Sequence, residues 1–222
     1  LRKFSAEGFV FVSEQELIQW FKLGGARVRA LKLNRYYPEG TVRAPSVELV
    51  TQLSSYCQHI STLYLDVSMT AELLTQVAHS CRSIRKAFFV RDGDDVAAPV
   101  QFLSVALSFP LLRHLTIETT KLSVDTQCLP PTTYAPNLTD LTLTCCNRPC
   151  LLVIGLLESI LRCAPNLESL YAVRGVRVTW DEYGQIDDRD GRALATAEMK
   201  RLRQEYSRCT LSVTMQGIYH AM

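Results

Sequence analysis

Apolar residues return along this chain in a fixed short phrase. An apolar position, two free positions, a second apolar position, one free position and a third are introduced three residues upstream by a small or apolar anchor. The copies are Gly25-Ala-Arg-Val28-x-x-Leu31-x-Leu33, Cys57-Gln-His-Ile60-x-x-Leu63-x-Leu65, Cys81-Arg-Ser-Ile84-x-x-Ala87-x-Phe89, Phe109-Pro-Leu-Leu112-x-x-Leu115-x-Ile117, Ala135-Pro-Asn-Leu138-x-x-Leu141-x-Leu143 and Ala164-Pro-Asn-Leu167-x-x-Leu170-x-Ala172. Successive side chains of an extended chain point to opposite faces, so the alternation in each phrase predicts a short strand with one buried face. Before most phrases the spacing becomes helical, over 14–23, 47–56, 71–79, 100–109 and 151–161. Val47, Val50 and Leu53 recur every three residues, and Leu73, Leu74 and Val77 form one apolar face. Ser13 and Ser46 stand where N-caps are expected, with Glu16 completing a capping box after Ser13. Proline at 136 and 165 disfavours helical geometry in the alanine before it, which ends the helix ahead of the strand.

The phrases recur 32, 24, 28, 26 and 29 residues apart, measured from Val28 through Ile60, Ile84, Leu112, Leu138 and Leu167. Most of these spacings fall within the roughly 20 to 29 residues of leucine-rich repeats, whereas propeller blades need several strands per unit of about 40 to 45. Same-direction strands need crossover connections, and stacking the units buries faces that no single unit could cover. The predicted fold is α/β: a leucine-rich-repeat solenoid, a curved parallel sheet with helices on its convex side. One domain is expected over 1–222, with an N-terminal helical segment at 1–24, repeats over 25–173, a projecting hairpin or loop at 174–191 and a C-terminal capping unit at 192–222. The connection over 119–134, with Pro130, Pro131 and several threonines, is expected to be irregular or 3₁₀. After residue 173, Val176, Val178 and Trp180 alternate with polar residues and lead into the acidic stretch containing Asp187, Asp188 and Asp190. A charged helix over 192–206 and a last strand with Leu211 and Val213 facing inward follow.

Composition narrows the partners. With 24 basic and 22 acidic residues the formal charge is +2, too near neutral for a global attraction to phosphate or anionic lipid, so neither nucleic acid nor membrane is expected as a partner. The most apolar stretch, 151–161, is about half of the ~20 residues that a spanning helix needs and contains Glu158. No basic, apolar leader opens the chain, which starts at Leu1 and is expected to be a fragment or a processed product. The eight cysteines sit mostly at anchors or beside strands, a pattern of reduced, packed thiols that places the protein inside the cell, in cytoplasm or nucleus. Asn137-Leu138-Thr139 matches a glycosylation acceptor, but Leu138 is a core position.

With C-x-x-I or A-P-N-L leading into L-x-x-L-x-L and a helix between strands, residues 25–173 resemble the ribonuclease-inhibitor-like leucine-rich repeats, in particular the degenerate, cysteine-containing repeats of F-box proteins. The resemblance implies substrate presentation to a cullin-type ubiquitin ligase, with the repeat surface holding the substrate. A ligase adaptor would then bind through a separate helical F-box, which these 222 residues do not contain.

If the repeated apolar positions point inward, the free position between the last two faces the other way. That gives one column, Lys32, Tyr64, Phe88, Thr116, Thr142, Tyr171 and Ser212, flanked on one side by Ala30, Thr62, Lys86, His114, Asp140 and Ser169 and on the other by Asn34, Asp66, Val90, Glu118, Thr144 and Val173. Lys32, Tyr64, Phe88, Thr116, Thr142, Tyr171, Thr62, Lys86, His114, Asp140, Asp66 and Glu118 are the candidate partner-binding residues. Tyr64, Phe88 and Tyr171 are the candidate anchors, because exposed aromatics offer large contact area. A one-residue slip would bring Phe88 inward in place of Phe89. Cys57 with His59 and His79 with Cys81 have the residue types of a metal or nucleophile pair, but both thiols occupy anchor positions that packing explains. Cys145, Cys146 and Cys150 lack a completing pair, and the acidic stretch lacks the spacing of a calcium loop. The expected function is therefore non-enzymatic protein recognition on the concave face, with no metal or cofactor. The alternative is a permanent architectural subunit of a large assembly.

Overall fold

A computed structural model describes residues 3–5, 14–33, 47–65, 70–91, 99–119, 128–145, 154–176 and 189–217. The strands are β1 (Lys3–Ser5), β2 (Ala30–Leu33), β3 (Thr62–Leu65), β4 (Lys86–Arg91), β5 (His114–Thr119), β6 (Asp140–Cys145), β7 (Ser169–Val176) and β8 (Thr210–Gly217). Helices α1 (Glu14–Gly24), α2 (Val47–Tyr56), α3 (Ala71–Ser80), α4 (Pro99–Leu107), α5 (Ile154–Cys163) and α6 (Arg189–Glu205) alternate with them, and a 3₁₀ turn covers Gly25–Arg27. All eight strands form one parallel sheet in strict chain order. Equivalent positions of the phrases pair directly, so Leu31, Leu63, Ala87, Leu115, Leu141, Leu170 and Leu211 lie side by side across it. The sheet is not strongly curled.

The spacing from anchor to first strand residue has a backbone cause. In each of these six units the N–H of the first apolar position donates to the carbonyl of the anchor, Val28 to Gly25, Ile60 to Cys57, Ile84 to Cys81, Leu112 to Phe109, Leu138 to Ala135 and Leu167 to Ala164, at 3.0–3.4 Å. Each phrase thus opens with a tight turn that buries both of its ends. Just beyond it, two consecutive N–H groups converge on one carbonyl of the preceding unit. Ser61 and Thr62 donate to Arg29, Arg85 and Lys86 to Ser61, Arg113 and His114 to Arg85, Thr139 and Asp140 to Arg113, and Glu168 and Ser169 to Thr139, all at 2.8–3.1 Å. This hydrogen-bonded row crosses the sheet at the N-terminal ends of the strands. The last unit is one residue shorter: Cys209 closes its turn on Tyr206, and Thr210 donates to Glu168.

One face of the sheet and the apolar faces of the helices share a single core, in which Phe21, Ile60, Leu74, Ile84, Phe89, Leu138, Ile160 and Leu202 are fully enclosed. Successive helices pack on one another, α1 on α2, α2 on α3 and α3 on α4, and cover one face, and none of the described helices lies on the other. Thr70 caps α3, its Oγ1 accepting from the Leu73 N–H at 3.3 Å. Between β5 and β6 the described part of the connection, 128–139, has no helix. Leu129 is buried there, its N–H donating to Ser159 Oγ of α5, while Thr133 Oγ1 lies 2.7 Å from Ser104 Oγ of α4. This turned piece bridges α4 and α5.

Two elements differ from the sequence reading. Lys3–Ser5, in the segment expected to be helical, adds a strand beside β2. Residues 174–176, expected to open a projecting hairpin, continue β7 in register with Met215, Gln216 and Gly217. Parallel pairing with β8 satisfies the backbone there, which alternation alone could not distinguish from an antiparallel turn. Ser13, Ser46, Val178, Trp180, Asp187, Asp188, Cys146 and Cys150 lie outside the described residues.

Candidate functional site

The face that none of the described helices covers displays the column read from the sequence. Lys32, Tyr64, Phe88, Thr116, Thr142, Tyr171 and Ser212 are register partners on β2 to β8. Phe89 is completely buried and Phe88 half-buried on the open side, which settles the register in favour of Phe89 as the core residue. Adjacent strands in register hold Tyr64 and Phe88 flat against each other, ring centroids 4.1 Å apart and 2° from parallel. Lys32 Nζ sits 4.8 Å from the Tyr64 centroid, so both faces of that ring are occupied. An aromatic pair adds about 0.5–1.5 kcal/mol beyond its area, and an exposed cation–π contact about 0.5–1 kcal/mol, so the row is ordered before any partner arrives.

The structure does not bring all three aromatic anchors together. Tyr171 lies three strands from Phe88, roughly 14 Å at the spacing of a sheet, with Thr116 and Thr142 between them. It is also the more exposed, at 39%. The intervening strands carry a polar pair in the first flanking column. His114 Nδ1 lies 2.7 Å from Asp140 Oδ2, which also accepts from Thr139 Oγ1 at 2.7 Å. With Nδ1 donating to the carboxylate, Nε2 is left pointing away. Among the described residues no hydroxyl or thiol side chain is hydrogen-bonded to His114, so the pair has no nucleophile in position. Thr62 and Lys86 occupy the same column on β3 and β4, while Glu118 closes β5 on the other flank. Asn34 and Asp66 lie outside the described residues.

The cysteine and histidine pairs are split by the core boundary. Cys57 and Cys81 are fully buried, with Cys81 Sγ directed at the Cys57 carbonyl at 3.7 Å, whereas His59 and His79 are exposed. Burial pushes the Cys57 thiol up to about 12, with the neighbouring Cys81 adding to the shift, and raises Cys81 and Cys163 to about 11. Such thiols stay protonated at neutral pH, unlike a nucleophile or metal ligand. Among the described residues no three His, Cys, Asp or Glu side chains group as metal ligands, and no helix is long and apolar enough to cross a membrane.

Strand alternation overlooked the N-terminal edge of the sheet. Arg29, Arg85 and Arg113 belong to the hydrogen-bonded row just before the strands, and Arg27 and Arg82 to the adjoining turns. All five are exposed. The signal was available as an arginine directly before three of the phrases' strand segments, but it precedes the first alternating residue and so belonged to no column. Neither a protein-family model nor a curated protein matches the chain.

Proposed function

We propose that the chain is a leucine-rich-repeat solenoid of the ribonuclease-inhibitor-like class, shallow in curvature, whose open sheet face recognises another protein without performing chemistry. The observation that carries this reading is the Lys32–Tyr64–Phe88 row on a face that none of the described helices covers. A surface already ordered by backbone register loses little entropy on binding, so a few aromatic contacts can dominate affinity. Substrate recognition for a cullin-type ubiquitin ligase is the sharper form, supported by the resemblance of the repeats to those of F-box proteins.

The test is affinity purification of the full-length protein with cross-linking. Tyr64→Ala/Phe88→Ala/Tyr171→Ala is expected to lower partner capture by about tenfold or more, the scale of a loss exceeding 1.4 kcal/mol, while circular dichroism stays native. Undiminished capture by that folded variant counts against the face. Recovery of a cullin adaptor with exchanging substrates supports the ligase form. Fixed stoichiometry in one complex supports a permanent architectural subunit instead.

A further inference from the structure

The row of shared carbonyls places one residue per unit in line across the sheet: Arg29, Ser61, Arg85, Arg113, Thr139 and Glu168. Where that residue has a hydroxyl, the side chain turns back on the row. Ser61 Oγ donates to the Arg29 carbonyl at 3.0 Å, and Thr139 Oγ1, its one proton shared with Asp140 Oδ2, lies 3.0 Å from the Arg113 carbonyl. The arginines and, at the far end of the row, Glu168 are its exposed members, while Ser61 and Thr139 are half-buried. Adding the turn residues Arg27 and Arg82, the edges of four consecutive units carry five exposed arginines and no carboxylate. None of the five forms an ion pair with another described residue, although Arg162 and Arg201 elsewhere pair with Glu158 and Glu205. Lys86 stands next to Arg85, at the start of β4 on the open face. On a molecule of formal charge +2 this is a strongly local field, spanning roughly 14 Å of backbone from β2 to β5.

We infer that this arginine edge binds an acidic polypeptide segment, one that lays its carboxylates along Arg29, Arg85 and Arg113 and sets an apolar side chain beside Phe88. The inference rests on the protein-recognition reading of the open face and names the chemistry of the partner. Charge complementarity selects an anion, and guanidinium forks match carboxylates in bidentate geometry. Two observations select polypeptide over nucleic acid. Base stacking needs a series of open ring faces, and of the stacked pair only the outer face of Phe88 is left, since Lys32 and Phe88 cover both faces of Tyr64. The row also changes sign, reaching Thr139 and then Glu168 within two units of Arg113, which would repel a continuing phosphate backbone and tolerates a peptide of mixed charge.

The probe is a labelled peptide of alternating glutamate and serine with a central phenylalanine, titrated against the full chain by fluorescence anisotropy. Its glutamine counterpart, an oligouridylate of matching charge and phosphatidylserine vesicles are run beside it. Binding of the glutamate peptide is expected to weaken with salt and to fall about tenfold in Arg29→Gln/Arg85→Gln/Arg113→Gln. Arg208→Gln, an exposed arginine in the last turn, is expected to leave it unchanged. Equal binding of the glutamine peptide, indifference to the triple replacement, or tighter arginine-dependent binding of the oligouridylate or the vesicles would overturn the inference. If the aromatic variant loses its captured partner while the arginine variant keeps it, the acidic partner is wrong and the recognition face stands. If neither variant loses it, both fall.

Discussion

Gly25 is the anchor of the first complete unit, the position that Cys57, Cys81, Phe109, Ala135 and Ala164 fill in the others. It is the one anchor without room for a side chain: a Cβ there would lie 2.9 Å from both Cys57 Sγ and the Tyr56 carbonyl. Gly25→Ala is therefore expected to cost about 1–3 kcal/mol, as overpacked sites do, read as a lowered urea midpoint at unchanged slope. The buried thiols make a second residue-scale prediction. Their folded pKa values lie above the unfolded one, so they contribute full stability below the unfolded pKa and lose it as pH rises toward the folded values of about 11 and 12. Above pH ~9, unfolding free energy is expected to fall by up to about 1.4 kcal/mol per pH unit for each buried thiol, and Cys57→Ala/Cys81→Ala should flatten that slope. At neutral pH, iodoacetamide followed by mass spectrometry should label exposed Cys128 in the native protein and Cys57, Cys81 and Cys163 only after denaturation. Packing as the role of these anchors was legible because equivalent positions elsewhere are plainly apolar. The tightness at Gly25 was not, since it depends on how closely two turns approach.

Among the elements, the connection between β5 and β6 departs furthest from the common unit. Pro130, Pro131 and the threonines, which have no helical face, already signal this. The irregular course was expected from that composition, but not its anchoring, a turned piece held to α4 through Ser104 and Thr133 and to α5 through Ser159 and Leu129. Thr133, 8% exposed, depends on Ser104 for its hydroxyl partner. Ser104→Ala should cost about 1–2 kcal/mol, and Thr133→Val in that background should recover part of the loss, since removing both partners is cheaper than orphaning one. A thermal denaturation cycle over the two single variants and the double variant measures this. The asparagines of the A-P-N-L phrases are a second link between units. Asn137 Nδ2 donates to the Pro110 carbonyl at 2.8 Å and Asn166 Nδ2 to the Pro136 carbonyl at 2.7 Å, so each ties its turn to the equivalent turn before it. The glycosylation match at Asn137 thus coincides with an amide already engaged and a fully buried Leu138.

At the scale of the whole molecule, each described strand pairs with the strands before and after it, and α1 to α4 and α5 to α6 pack in the same chain order. This is why so much of the fold was legible: each unit repeats one local solution, and a phrase recognised once can be read throughout. The strand column of the candidate face came from the same periodicity. The arginine edge did not, because its residues are aligned by shared carbonyls that no hydropathy pattern records. β7 and β8 pair over eight residues, the longest pairing in the sheet, with α6 fixed to α5 by Arg201 reaching Glu158 at 3.3 Å. Deleting residues 189–222 bares β7 as a long edge, and the truncated chain is expected to self-associate in sedimentation and to lose hydrogen-exchange protection in β7 first.

The direction of the shared-carbonyl row has a practical corollary. At five successive steps the later unit supplies two donors and the earlier one a single acceptor, so a clean cut between those units leaves unlike ends that fit in one order alone. Two co-expressed halves divided within 120–127 would possess built-in polarity, the ingredient a split reporter requires, with reassembly limited to the native sequence of parts.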